Sequence, residues 1–580
     1  MSAAMEYDAL RAQYANGVPP PPADFSFVTH VFDDWAKKQP DQTAIWHVAG
    51  DLKTEHKISY AELVDLSHRA AILFAKHGIG FGDRVMMTLP RLSAWWICVF
   101  GLMRLGAVPI PGTTLLVAKD LHMRAKTSGA KAFIGCRASC PTFESIAGDV
   151  GVTTVFEISQ DGERTKPGRI DLLGELERIP RGSRAPKREQ KSDDLALIYF
   201  TSGTTGPPKQ VLLPACYTLG HINSGLWYRL EPGKVYLNLG DLGWAKAAYA
   251  TFGTFNMGAT LFCLNPPQGN YSAVHLVEAL QSFPITNLCC PPTIYRSLLT
   301  TEVRKFYDAH KFKALEHAVS AGEPINGPVI SAFAEMTGVT ICDGWGQTET
   351  CIVVGNFRGV EIRLGSMGRV APGVEVCVIG TDTELPDGAE GELCVRTDPG
   401  GGAGGSWIFS GYRKVDGTID TRRRQLKDGR VVYSTGDRGY RDADGYFWFV
   451  GRSDDIITSS GYRIGPFEVE SALKSHPAVL ESAAVASPDR QRTEIVKAFV
   501  TLSAEYHEQL TSGAIDEKKL IAELQDHCRR NAAPYKYPRQ IEFMQQLPKN
   551  VSGKILRVNL RNIEYERNAH IVAAMRASKL

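Results

Sequence analysis

Leu195-Ala196-Leu197-Ile198-Tyr199-Phe200-Thr201-Ser202-Gly203-Thr204-Thr205-Gly206-Pro207-Pro208-Lys209 runs an unbroken apolar stretch straight into a turn of hydroxyls and glycines. The apolar half reads as a strand buried on both faces, since it shows no in-out alternation. The turn carries four hydroxyls, two glycines and one lysine in nine positions. Glycines let backbone N–H groups approach an anion, hydroxyls rotate to donate, and the lysine adds a point charge, which together suit phosphate oxygens. It is not a Walker A loop, because its glycines are three apart and Gln210 follows Lys209.

Outward from this turn, the chain reads as an α/β body. The 580 residues, 43% of them hydrophobic and 22% charged, exclude a disordered or disulfide-stapled chain and require several domains. Val28, Val31, Phe32 and Trp35 have helical spacing just after the prolines at 19–22. Ser59-x-x-Glu62 forms a capping box before Leu63, Leu66, Ala70 and Leu73, with Gly78 placed to end the helix. Short runs such as Val85-Met86-Met87-Thr88-Leu89 alternate with helices, which predicts mostly parallel sheets. Residues 160–194 and the glycines at 400–405 read as exposed connections. From about Ser453 the texture changes to a small α+β unit, with a helix starting at Pro466, a strand from Ile495 to Leu502 and a helix from Ile515 to Arg530.

Sixty-five basic and 63 acidic residues leave a net charge of +2, so no global field favours nucleic acid or an anionic membrane. The apolar run at 92–103 is too short to span a bilayer, so no transmembrane segment is expected. With Glu6 and Asp8 and no apolar core near the N-terminus, no secretory signal or transit peptide is expected. Twelve cysteines without a C-x-x-C pair read as buried thiols in a reducing compartment, and the expected location is cytoplasmic.

The nine residues 201–209 resemble the phosphate-binding signature of the adenylate-forming superfamily, which comprises acyl-CoA synthetases, peptide-synthetase adenylation domains and luciferases. Five further segments resemble its other signatures. Asp343-Gly344-Trp345-Gly346-Gln347-Thr348-Glu349-Thr350 resembles the second, with Trp345 where tyrosine is usual. Ala321-Gly322-Glu323-Pro324 resembles the border of the adenine, and Ser434-Thr435-Gly436-Asp437 the ribose-binding element. Val450-Gly451-Arg452-Ser453-Asp454-Asp455 resembles the join between a large and a small domain, and Pro548-Lys549-Asn550-Val551-Ser552-Gly553-Lys554 the signature that carries the catalytic lysine.

The resemblance implies a large ATP- and acyl-binding domain over residues 25–453, with several sheets, after an N-terminal segment at 1–24. A small mobile α+β lid at 454–580 would follow, turning about Asp454. It implies ATP, Mg²⁺ and coenzyme A. Thr201, Ser202, Gly203, Thr204, Thr205, Lys209, Gly322, Glu323, Pro324, Asp343, Gly344, Trp345, Gln347, Thr348, Asp437, Arg452 and Lys554 would meet the nucleotide, and Glu349 the metal. Lys554, Thr348 and Glu349 take the catalytic roles. Gly461, Tyr462 and Arg463 would meet coenzyme A.

Trp244, Ala245 and Gly346 would line the acyl pocket, where glycine in place of the tryptophan of acetyl-CoA synthetases leaves room for a longer chain. The branch resembled most is the medium-chain acyl-CoA synthetases. An aryl or branched acid, or a luciferase-like second step, is the alternative. Lys246, beside this pocket, is expected to point to solvent, as lysines mostly do.

Overall fold

The computed structural model of the chain describes residues 6–13, 22–159, 164–201, 208–266, 272–309, 311–323, 325–398, 407–414, 416–460, 462–550 and 554–572. The glycines at 400–405 lie outside them. Two lobes are evident, the larger built on three sheets.

The largest sheet is half parallel and half antiparallel. Strands Thr43–Val48, Thr260–Leu264, Val235–Asn238, Asn287–Cys290, His317–Ser320 and Ile341–Gly346 lie side by side and parallel. Beyond Ile341–Gly346 every pairing is antiparallel, through Ile352–Gly355, Ser366–Val370, Tyr446–Arg452, Val431–Arg441 and Gly391–Arg396. The expectation of mostly parallel sheets therefore holds for only part of the lobe. Short apolar runs do not distinguish the two pairings, which depend on whether a helix or a turn connects them.

A second, parallel sheet centres on Arg84–Thr88, and a third, antiparallel one contains Leu195–Thr201 and Lys209–Pro214. Leu195–Thr201 is buried through its five central residues, which explains its unbroken apolar character. Helix Tyr60–Lys76 starts where Ser59 accepts a hydrogen bond from the Glu62 N–H at 3.2 Å, and Gly78 follows its end at φ +77°. The stretch 160–194, expected as plain connection, contains strand Ile170–Asp171 and helix Leu172–Arg178. Asp171 caps that helix, and only Leu172 and Leu176 are buried, too few to show a period.

The small lobe has its own core, in which Ile457, Val469, Leu473, Val500, Leu520 and Leu524 pack together. Helices Pro466–Lys474 and Glu517–Asn531 cover a sheet centred on Thr493–Leu502. Among the described residues no helix is long and apolar enough to cross a membrane.

Candidate functional site

Four adjacent parallel strands, ending at Asn238, Cys290, Ser320 and Gly346, deliver their following loops to one edge of the large lobe. In open α/β sheets that edge is where ligands bind. It gathers Asp241 to Lys246, Gly322 with Glu323, and Gln347 to Glu349, which are far apart in sequence. Arg91 fastens the first loop by donating to the carbonyls of Asn238 and Gly240, and Asp241 holds it by accepting from the Gly243 N–H at 2.7 Å.

Asp437 is the best-connected carboxylate here. It is 5% exposed and accepts from Arg452 Nη1 at 2.8 Å, Gln347 Nε2 at 2.7 Å and Trp345 Nε1 at 2.9 Å. Asp437 and Arg452 face each other directly across a β-ladder, so the backbone register itself makes the pair. Burial pulls the Arg452 pKa down, but the charge of Asp437 outweighs it and holds the guanidinium above its ordinary value. Trp345, unusual in the resemblance, thereby gains a structural reason: its indole N–H reaches the carboxylate. Asp343 is buried beside it, and burial pushes its pKa up to about 8 against the pull of the Gly344 and Ile325 N–H groups.

Thr201 and Lys209 are direct partners across the hairpin whose tip would hold phosphate. Ser202, Gly203, Thr204 and Thr205 lie outside the described residues. Lys209 sits over the Tyr412 ring at 5.1 Å, and the Tyr412 hydroxyl donates to Glu349. Glu349 is 7% exposed, and burial raises its pKa while Tyr412 opposes the rise. Among the described residues no three acidic, histidine or cysteine side chains cluster as a metal cage. A single buried carboxylate fits Mg²⁺ held jointly with triphosphate oxygens, the usual manner for that ion. Thr348 lends its carbonyl to the Tyr217 hydroxyl at 3.1 Å.

Lys246 is half-buried and turns toward the strand-end edge, contrary to the expectation that it simply points to solvent. Its amine packs against Gly322, where an added Cβ would stand 2.5 Å from Nζ. Burial lowers its pKa, and the charge of Lys554 from the small lobe, within electrostatic reach, lowers it further. Glu323 is within electrostatic reach of Lys246, and of Lys474 and Arg557 from the small lobe. Lys554 itself is exposed, and its N–H donates to Asn550 Oδ1 at 2.9 Å. Asp454 is exposed in a short 3₁₀ turn, Ser453–Asp455, between the lobes.

Tyr462 is 54% exposed and stacks on Tyr535 at 4.4 Å. Pro324, Gly461 and the side chain of Arg463 lie outside the described residues.

Gly346 is not bordered by empty space. An added Cβ would stand 2.3 Å from the Cys351 carbonyl oxygen and 2.7 Å from the Tyr249 hydroxyl. The room expected from that glycine is taken by backbone and by Tyr249, whose hydroxyl donates to the carbonyls of Gln347 and Thr350. Ala245 is buried, and Trp244 is half-buried.

Tyr412, Tyr433 and Tyr249 are site residues that the sequence does not disclose. Tyr433 donates to Gln347 Oε1 at 2.9 Å, and all three act on the second signature from distant elements. No local spacing ties them to it.

This arrangement suits an enzyme that holds a nucleotide at the strand ends of one lobe and brings a lysine to it from another. The AMP-binding enzyme family model matches residues 32–412, and the AMP-binding enzyme C-terminal domain matches residues 468–554. The rat protein named mitochondrial acyl-coenzyme A synthetase ACSM5 is 41% identical over 560 residues, covering 95% of this chain and 93% of its own. Human mitochondrial acyl-coenzyme A synthetase ACSM3 is 38% identical over 573 residues, covering 97% and 92%.

Among solved structures, the Brucella canis acyl-CoA synthetase superposes with TM-score 0.69 at 32% identity, over 97% of this chain and 99% of that one. The anthranilate CoA ligase AuaEII, in complex with anthranoyl-AMP, superposes with TM-score 0.81 at 26% identity, over 94% and 99%. The chain belongs to the AMP-binding enzyme family.

Proposed function

We propose that the chain joins a medium-chain carboxylic acid to coenzyme A in two steps, through an acyl-adenylate, with release of pyrophosphate and AMP. It is an AMP-forming acid–thiol ligase of the acyl-CoA synthetase type. A carboxylate is a poor acceptor for a thiol because its leaving group is oxide. A carboxylate oxygen therefore first attacks the α-phosphorus of ATP and the bond to pyrophosphate breaks. Two anions meet in that step, so neutralising charge and lining up the reactants are the main tasks.

Thr201, Lys209 and the hydroxyls between them grip the phosphates, and Asp437 with Arg452 takes the ribose. Gly322, Glu323, Pro324, Asp343, Gly344, Trp345 and Gln347 border the base, and Thr348 meets the α-phosphate. Mg²⁺ held by Glu349 would supply charge neutralisation on the phosphates. The observation that supports the reading is that Lys554 of the small lobe lies within electrostatic reach of Lys246, which packs beside Gly322 at the strand-end edge of the large lobe.

For the second step we take residues 454–580 as the moving lobe and Asp454 as its hinge. Its turn withdraws Lys554 and brings Gly461, Tyr462 and Arg463 to the pantetheine arm. The exposure of Tyr462 is in keeping with a surface awaiting that turn.

Small Ala245 and the small residues Ala247, Ala248 and Ala250 of helix Lys246–Asn256 support a chain longer than acetate. An aryl acid is the second reading, favoured by the superposition on an anthranilate CoA ligase. The test is a series of acids from acetate to dodecanoate, with benzoate and branched acids, assayed for AMP and thioester. A mid-length optimum is expected. An acetate optimum overturns the chain-length assignment, and a benzoate optimum selects the second reading.

The cytoplasmic location is a proposal of the same rank. Twelve free cysteines, all buried, fit a reducing compartment, whereas the relatives above are named mitochondrial. Fractionation of the native cells decides.

A further inference from the structure

Lys246 is an expensive residue to place where it is. It is the first residue of helix Lys246–Asn256, whose first turn holds no acidic side chain. A helix N-terminus already carries partial positive charge, so an ammonium there is disfavoured. The side chain is half-buried, and its amine packs on Gly322. No carboxylate lies within 4 Å of it among the described ion pairs. The groups that face it are Lys554, of the same sign, the carboxylate of Glu323, and the thiols of Cys289 and Cys290. Two positions earlier, the buried Trp244 indole N–H has no acceptor among the described residues. Two cations and an unused donor thus stand at the strand-end edge with one carboxylate in reach, an arrangement that an incoming anion would relieve.

We propose that Lys246 is a substrate-binding cation: from the large lobe it holds one carboxylate oxygen of the acid during adenylation and the same oxygen, now the acyl carbonyl, during thiol attack. This rests on the function proposed above. In the first step the other oxygen bonds to the α-phosphorus as pyrophosphate leaves. In the second the coenzyme A sulfur bonds to the carbonyl carbon, negative charge collects on the oxygen at Lys246, and the carbon–oxygen bond to AMP breaks while the thiol proton passes to solvent. Lys246 gives up no proton. Because it belongs to the large lobe, it stays when Lys554 withdraws, and that withdrawal removes the like charge beside it.

The test is Lys246→Met, which keeps the stem and removes the charge, in the full-length enzyme. Lys246→Gln serves if the methionine variant does not fold. Acid-dependent pyrophosphate exchange, single-turnover thioester formation from preformed acyl-adenylate, and thermal unfolding are measured. The KM for the acid is expected to rise about tenfold or more, the KM for ATP to stay within about twofold, and the single-turnover rate to fall roughly 10–100-fold, somewhat less than for a preorganised oxyanion donor. The melting temperature should hold, since methionine keeps the packing of the stem.

Unchanged acid KM and thioester rate beside an active wild type overturn the role of Lys246 alone. A lowered melting temperature with all kinetic constants falling together also overturns it, in favour of packing. A wild type that exchanges pyrophosphate with no acid overturns the function, and this role with it.

Discussion

The two sides of the strand-end edge are built on opposite principles. On the Asp437 side each charge already has its partner: the carboxylate accepts from Arg452, Gln347 and Trp345, and β-ladder register fixes the pair. On the Lys246 side two like charges approach each other without a bonded counter-ion among the described residues. A satisfied network is rigid and holds a donor or acceptor in place before the ligand arrives. An unsatisfied pair stores unfavourable electrostatic energy that an anion releases. On the function proposed above, the nucleoside end would thus be positioned by geometry, and the reacting end by charge that the small lobe could withdraw.

The comparison breaks first at Lys554. Replacing it with alanine should lower acid-dependent pyrophosphate exchange roughly 10²–10³-fold, the range for loss of one preorganised charge-stabilising donor. Thioester formation from supplied acyl-adenylate should persist, because the second step as proposed has the lysine withdrawn. Undiminished exchange would show that the mobile cation is idle.

On the satisfied side the expected loss is smaller. Arg452→Ala leaves Asp437 buried with two of its three donors, and losing a hydrogen bond to a charged group is worth about 1.5–3 kcal/mol. Arg452 is partly exposed, so the lower half of that range applies. The KM for ATP should rise about tenfold, equivalent to about 1.4 kcal/mol, with the acid KM little changed. An unaltered KM for ATP would mean that the network supports the fold rather than the nucleotide.

The same contrast explains what could be read from the chain. The Asp437 side is legible because its members recur as contiguous signatures, and one of its bonds is fixed by strand register. The Lys246 side is not. A lysine at the start of a helix ordinarily faces water, and only the parallel strand order, which sets Gly322 beside that helix, turns it inward. Gly346 misleads for a related reason: absence of a side chain signals a cavity only if nothing else approaches, and the Cys351 carbonyl and Tyr249 do. Tyr412 is 63 residues from Glu349, tied to it by a sheet that no local pattern announces.

Tyr412 permits a finer test by pH. Burial raises the Glu349 pKa, and the Tyr412 hydroxyl, favouring the ionised form, holds the rise down. Tyr412→Phe removes that restraint, so the pKa climbs further. Activity that needs the ionised carboxylate is lost as pH falls through this pKa, so the acidic limb of the kcat/KM profile should move to higher pH, and the Mg²⁺ requirement should rise a few-fold. A limb that stays or moves to lower pH would separate Tyr412 from the titration of Glu349.

Ser59→Ala sets the baseline against which these effects are judged. Ser59 Oγ accepts from the Glu62 N–H at the start of a 17-residue helix whose residues Leu63, Ala70 and Phe74 belong to the large lobe's core and take part in none of the site contacts described above. Removing an N-cap hydroxyl costs about 1 kcal/mol. The denaturation midpoint should therefore fall, while the KM values for acid and ATP and the exchange rate stay as they are. If kinetic constants drift with that small loss of stability, a change of similar size at Arg452 or Tyr412 says nothing of their contacts. If they hold, the asymmetry between a satisfied and an unsatisfied edge can be measured free of global destabilisation.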